Sequence, residues 1–440
     1  MKAARWSAVA CLVLGPSLAA ENWPQWRGPL GTGVSAEKDL PSRWGPDTVA
    51  WKAALAGSGV SSPVVWGERV FVTSQRGRGQ RKEGSHPQLA RDDPAVAAAE
   101  KALRTADEGG AGTVFVVEAF DRSNGRRLWE HPLPAEGDLA PVHEKHNLAS
   151  PSAVTDGERV YAWFGTGQVV ALTVEGKPVW ARHLGKEIGP FHINWGHGSS
   201  PALHGDLLFL LCYHEPASYL LAVDKRTGQT RWKTDRGKDI RSYSTPVVVP
   251  GPAGDELVVN STEGLHAYDP ATGKLLWHVG GTHNFGIPVP SFQDGVIYAS
   301  RGYRSGPYLA LRPGGRGDVT ATHVKWQAPT GAPYISSLLP YQGLVYMGSD
   351  SGVVTCLDAA SGAKVWQERT GGIFSASPVA GDGKVYFASE TGEVLVYQAG
   401  REPRLLERNK VEGRLVASPA IAEGRIYLRT DDTLIAIGRK

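Results

Sequence analysis

Histidines, amides and aromatic residues gather in a few short stretches of this 440-residue sequence. One stretch carries His143, Lys145, His146 and Asn147, a second His192, Asn194, Trp195 and His197, and a third His283 and Asn284 followed by Phe285. His214 with Glu215, Tyr303 with Arg304, and the aromatics Tyr243, Tyr334 and Phe374 stand in comparable contexts. Imidazoles, amides and rings converging on one opening would suit an anionic, sugar-like or metal-bound ligand, because together they offer donors, acceptors and stacking faces. His143-x-x-His146 and the gap between His192 and His197 match no fixed zinc spacing, so the metal set stays unknown. Acidic residues in these stretches are few (Glu144, Glu215), and there is no Ser/His/Asp order and no phosphate-binding glycine loop. No residue is therefore assigned a catalytic role.

Whether these side chains converge depends on the elements that carry them. Gly348 to Trp366 reads as a strand, a turn opened by Asp358 with Gly362 in the left-handed position, and a second strand ending in Trp366. From Ser61 onward this unit recurs. Each copy opens on small residues and proline, as in Ser61-Ser62-Pro63, Ser199-Ser200-Pro201 and Ser418-Pro419, and the openings predict eight copies. Fourth strands end in Trp129, Trp180, Trp232, Trp277, Trp326 and Trp366.

Four short antiparallel strands repeating every roughly 40 to 50 residues describe a propeller blade, since one twisted sheet buries its faces only by stacking on neighbours. The fold expected is all-β: an eight-bladed β-propeller of four-stranded antiparallel blades over residues 49–440. The eighth copy ends without an outer strand, and the lone strand at Val49-Ala50-Trp51-Lys52 is expected to complete it and close the ring. Recurrent tryptophans are expected to fill the wedges between sheets, with turn glycines allowing close approach. In this geometry the loops before the first strand and those between the second and third share one face, which places the histidine-rich stretches around the mouth of a central channel.

The pattern Ala222-Val223-Asp224-Lys225-Arg226-Thr227-Gly228 with Trp232 resembles the repeat of the pyrroloquinoline quinone (PQQ) family of β-propellers, over residues 49–440. Trp23-Pro24-Gln25-Trp26-Arg27-Gly28 resembles the N-terminal arm of exported bacterial PQQ-like repeat proteins. The resemblance implies kinship with quinoprotein alcohol dehydrogenases and with the BamB lipoprotein of outer-membrane barrel assembly. A quinoprotein would imply PQQ at the mouth with calcium. The adjacent cysteine pair common in the alcohol-dehydrogenase type is absent here, as is a C-x-x-C-H haem motif.

Residues 1–20 read as a signal peptide: Lys2 and Arg5, an apolar run from Trp6 to Leu14, and small residues that set cleavage near Ala19 or Ala20. The formal charge of +3 falls to +1 once Lys2 and Arg5 leave, which argues against a nucleic-acid surface. No other segment has the ~20 apolar residues of a membrane span. A periplasmic or extracellular protein, monomeric, is expected. Cys11 lies too early for a lipidated leader, and Cys212 and Cys356 fall in separate repeats as buried strand residues. Residues 21–48 form an irregular arm packing Trp23, Trp26 and Trp44 onto the body. An insertion at 76–112 in the first blade, with a helix expected from Pro94 to Ala106, is a lid over the mouth or a solvated loop. The sequence thus points to a binding scaffold for a protein, glycan or small molecule. A PQQ- or metal-dependent periplasmic oxidoreductase and a BamB-like assembly factor are the alternatives.

Overall fold

A computed structural model describes residues 22–77, 81–82, 112–137, 139, 142–189, 191–281, 286–302 and 306–438. The leader, the helix expected from Pro94 to Ala106, and His283, Asn284, Phe285, Tyr303 and Arg304 lie outside these residues.

Eight antiparallel sheets follow one another around a ring. Blade 1 consists of Val64–Trp66, Arg69–Arg76, Val114–Asp121 and Arg127–Pro134, and the next six repeat this order from the axis outward. Blade 8 is assembled from both ends of the chain: Ala420–Ala422, Arg425–Arg429 and Thr433–Ile437 are completed by Val49–Ala54, with Trp51 opposite Ala436. Burial explains why these segments read as they do. The middle strand Leu207–Tyr213 (LLFLLCY) is covered on both faces and is almost wholly apolar, whereas the outer strand Thr230–Gly237 alternates between half-buried and exposed residues. The apolar cores lie between blades: Tyr161, Trp163 and Leu172 of blade 2 face Leu208, Leu210 and Leu221 of blade 3 or the matching strands of blade 1.

The tryptophans dock each blade on the next. Trp180 Nε1 donates to the Lys225 carbonyl at 3.0 Å, and a Cβ on Gly228 would stand 2.7 Å from its ring. Trp129 does the same on Val174 and Gly176, Trp232 on Pro270 and Gly273, and Trp326 on Ala359 and Gly362. Trp51 repeats the contact across the closure, donating to the Arg122 carbonyl over Gly125. These glycines are required twice over, since each also holds a positive φ. Trp277 departs from the pattern. The next blade replaces its Asp-to-Gly turn with an excursion containing Gly317–Asp318 and the single-turn helix Thr320–His323, and Trp277 Nε1 donates instead to Glu256 Oε2 at 2.8 Å.

Arg429 pins the closing seam. Its buried guanidinium donates to the carbonyls of Ser61 (3.0 Å) and Thr73 (2.7 Å) of blade 1 and also reaches the Ser61 hydroxyl. Burial draws its pKa down to about 10. Cys212 and Cys356 are both free and buried in strands.

The arm crosses the face opposite the histidine-rich loops. Trp23 bridges Val65 of blade 1, Pro24 accepts the Thr155 N–H of blade 2, Val34 bridges Ala380 of blade 7, and the Glu37 carboxylate accepts the N–H groups of Glu423 and Gly424 in blade 8. Arg27 is its anchor. The fully buried guanidinium donates to Ser291 Oγ (2.6 Å) and to the carbonyls of Thr32 (2.6 Å) and Leu338 (2.8 Å), with no carboxylate partner among the described residues. Desolvation lowers its pKa to about 9.

Candidate functional site

Residues from all eight blades and from the arm enclose a cavity of about 270 Å³ on the propeller axis. Its floor is Trp26, delivered by the arm. Arg27 lies behind this floor, its Cζ 5.5 Å from the Trp26 ring centroid. Its upper wall carries His143, Lys145, His146, Trp195, Tyr243 and Tyr334.

Between floor and mouth runs a collar of hydroxyls from the blade openings. Ser152 Oγ accepts the Ser62 N–H, Ser200 Oγ that of Ser152, and Thr245 Oγ1 that of Ser200, all at 2.8–3.0 Å. After a gap at Val289 the chain resumes: Ser337 Oγ accepts from Val289, Ser377 Oγ from Ser337, and Ser418 Oγ from Ser377. The repeat places such a residue at the opening of six blades because the strand nearest the axis starts at the same height each time. Each of these hydroxyls thus staples two blades and faces the cavity.

The mouth is built around Trp195. This residue holds φ +78°, a region that a bulky side chain enters at a cost of about 1–3 kcal/mol unless its surroundings fix it. The surroundings do: its carbonyl accepts the His143 N–H at 2.9 Å and lies 2.7 Å from His146 Nε2. A carbonyl can only accept, so Nε2 donates there, while Nδ1 lies 3.2 Å from the Asn147 carbonyl and 3.0 Å from the Ser150 hydroxyl, which itself donates to that carbonyl; both ring nitrogens of His146 thus face acceptors. His143 Nδ1 accepts the Lys145 N–H at 3.2 Å, which places the proton of its neutral form on Nε2. Lys145 is buried, and its Nζ donates to Glu390 Oε1 at 2.7 Å. Burial pushes the Glu390 carboxyl upward, but Lys145 and Arg414 outweigh it and hold its pKa below the usual range. Glu390 also accepts the Ser375 hydroxyl. Residues Arg81–Lys82 of the insertion pair in parallel with Val142–His143, so this part of the insertion abuts the mouth.

The other candidates read from the sequence have different places. Asn147 is buried and structural in its contacts, donating to the Ser58 carbonyl at 2.9 Å and accepting the Ala149 N–H. The Asn194 carbonyl accepts the Tyr243 hydroxyl. His192 is on the rim, its Nε2 3.3 Å from Glu215 Oε2, away from the cavity wall. His197 and His214 are buried against Phe191, with Trp163 also packed on His197. His197 Nε2 donates to the Ser199 carbonyl at 3.0 Å, so its Nδ1 accepts from His214 Nε2 at 3.3 Å and both rings are neutral. Desolvation lowers the His197 pKa to about 3 and that of His214 well below its ordinary value. Neither of the two lines the cavity. Sequence reasoning missed Trp26 as the floor and the collar hydroxyls as lining; the latter were visible as repeat openings.

Fold and site together define a propeller with an axial cavity lined by Trp26 of the arm and by a polar, aromatic mouth. The family described as outer membrane protein assembly factor BamB matches residues 114–368 and 350–439, and the chain belongs to this family of PQQ-like propellers. Among solved structures, the quinohemoprotein alcohol dehydrogenase of Comamonas testosteroni is similar over 95% of this chain and 81% of its own, with a TM-score of 0.65 and 14% identity. A second quinohemoprotein alcohol dehydrogenase, from Pseudomonas putida, has a TM-score of 0.62 and 12% identity, covering 95% of this chain and 81% of its own. BamB from Moraxella catarrhalis covers 75% of this chain and 95% of its own, with a TM-score of 0.54 and 15% identity. At such identities the likeness is one of fold. No curated protein matches the chain.

The likeness of fold to quinohemoproteins raises the question of a quinone with its metal. The donor set does not fit one. No carboxylate lines the cavity, and no three His, Cys, Asp or Glu side chains converge to hold an ion, both statements applying to the described residues. Both cysteines among the described residues are buried apart in blades 3 and 6. No redox step is derived from this site.

Proposed function

We propose that the protein is an exported binding scaffold that engages its ligand or partner at the mouth of the central channel. The observation that carries this reading is the cavity itself: an axial space walled by His143, His146, Trp195, Tyr243 and Tyr334. Strain at Trp195, held by two bonds to its carbonyl, supports a mouth pre-shaped for an occupant. Burial of Lys145 and Glu390 as a pair leaves neither as an acid or base, which favours binding over catalysis. The leader supports export, and among the described residues no helix is long and apolar enough to cross a membrane.

The test compares wild-type protein with Trp195→Gly, which removes the indole and suits the positive φ, in native mass spectrometry and affinity capture from the protein's own host. An occupant or partner retained by wild type and lost in the variant is expected. Identical spectra and captured material in both forms would overturn the reading, and a bound chromophore in the purified protein would favour the oxidoreductase alternative.

A further inference from the structure

The polar groups around the cavity are unbalanced in kind. Each collar hydroxyl uses its oxygen to accept a backbone N–H, and no described group accepts the O–H protons of Ser152, Ser200, Thr245, Ser337, Ser377 or Ser418. Six donors are therefore available to the interior, while no carboxylate, Asn or Gln among the described residues lines it. The charge behind the floor has the same sense. Arg27 is fully buried with neutral partners only, and its Nε has none, so its positive field is uncompensated locally. Lys145 adds no net charge, because Glu390 meets it. Above the collar the lining combines His143, Lys145 and His146 with the aromatic and apolar side chains of Trp195, Tyr243, Tyr334, Ile287, Ile335 and Val416.

We propose that the channel binds a small organic anion, its carboxylate or other oxyanion head lowered into the hydroxyl collar toward Trp26 and its ring-bearing body held by the aromatic mouth. This deepens the scaffold reading and rests on it. Donors already fixed in place by the blade-to-blade staples need no reorganisation to receive an oxyanion, and the locally uncompensated charge behind the floor, that of Arg27, is cationic. A neutral ligand of the same shape could accept hydroxyl protons through a carbonyl oxygen but would leave that charge uncompensated.

The experiment is a calorimetric titration, at constant ionic strength, of wild-type protein with benzoate, its neutral isostere benzamide, and sulfate. Benzoate is expected to bind at least tenfold more tightly than benzamide, and sulfate more weakly than benzoate because it has no body for the mouth. Ser152→Ala with Ser337→Ala removes two donors from opposite sides of the collar. It is expected to weaken benzoate roughly tenfold and benzamide little. Val289 shows that a blade closes without the hydroxyl, and a thermal melt confirms the fold. Benzoate and benzamide binding alike, with both weakened by Trp195→Gly, would overturn the anion assignment and leave the scaffold intact. Failure of every small probe while a protein partner is captured at the mouth would also overturn this assignment alone.

Discussion

Acid should unfold this protein partly through two histidines that sequence alone suggests as ligands. His197 and His214 are buried, bonded to each other and neutral. In the unfolded chain each has an ordinary pKa of about 6.5, whereas folding depresses His197 to about 3 and His214 well below its ordinary value. A depressed folded value means that the stabilisation is complete above about pH 6.5 and is lost as pH falls toward the folded pKa, since only the unfolded chain takes up the protons. At about pH 5 the unfolded state gains roughly 2 kcal/mol per histidine, or about 4 kcal/mol for the pair. The assay is urea denaturation from about pH 7.5 to 5 for wild type and for His197→Gln with His214→Gln. The variant is less stable throughout, having lost ring contacts with Phe191 and Trp163. The informative quantity is the slope, in which carboxylates common to both proteins cancel. Wild type should lose about 4 kcal/mol more than the variant across this interval. Parallel profiles would refute the reasoning.

Other consequences can be checked on the same footing. Gly228 and Gly295 both hold φ +74°, but only Gly228 lies under a tryptophan, so Gly228→Ala should cost about 1–3 kcal/mol more than Gly295→Ala in chemical denaturation. Trp51→Ala removes the docking residue of the seam. It should cost about 3–5 kcal/mol and speed amide exchange in Thr433–Ile437 ahead of the other blades, as read by mass spectrometry. Lys145→Met removes the closest countercharge of the buried Glu390 carboxylate, leaving it Arg414 and the Ser375 hydroxyl, and should cost about 3 kcal/mol in the same denaturation assay. Adding Glu390→Gln should recover more than half of that loss; a further loss would show that the pair is not the main contact.

Much of the fold was legible because it is written many times. A strand covered on both faces must be apolar throughout, as in Leu207–Tyr213. A glycine that faces a neighbouring indole cannot be replaced, so the Asp-to-Gly turns and terminal tryptophans recur at the blade period. The PQQ-like resemblance follows from those same positions. Blade 5 broke the pattern where its turn was replaced, and Trp277 found a carboxylate instead of a carbonyl.

The candidate site was legible by face and not by direction. His143, Lys145, His146 and Trp195 line the cavity, yet His192 lies on the rim and His197 and His214 turn inward, although all come from loops on one side of the ring. Periodicity determines which way a strand residue points; a glycine-rich loop has no period, and its side chains point where packing and hydrogen bonds take them. Trp26 and Arg27 belong to an arm without any repeat, and only its path across eight blades puts one on the cavity floor and the other behind it. By itself, then, the sequence determined the blades, their number and the face on which the mouth opens, since these follow from local pattern. The tertiary structure alone decided that Trp26 of the arm reaches the cavity, that the collar hydroxyls converge, and which histidines line it, because each depends on residues far apart in the chain reaching one axis.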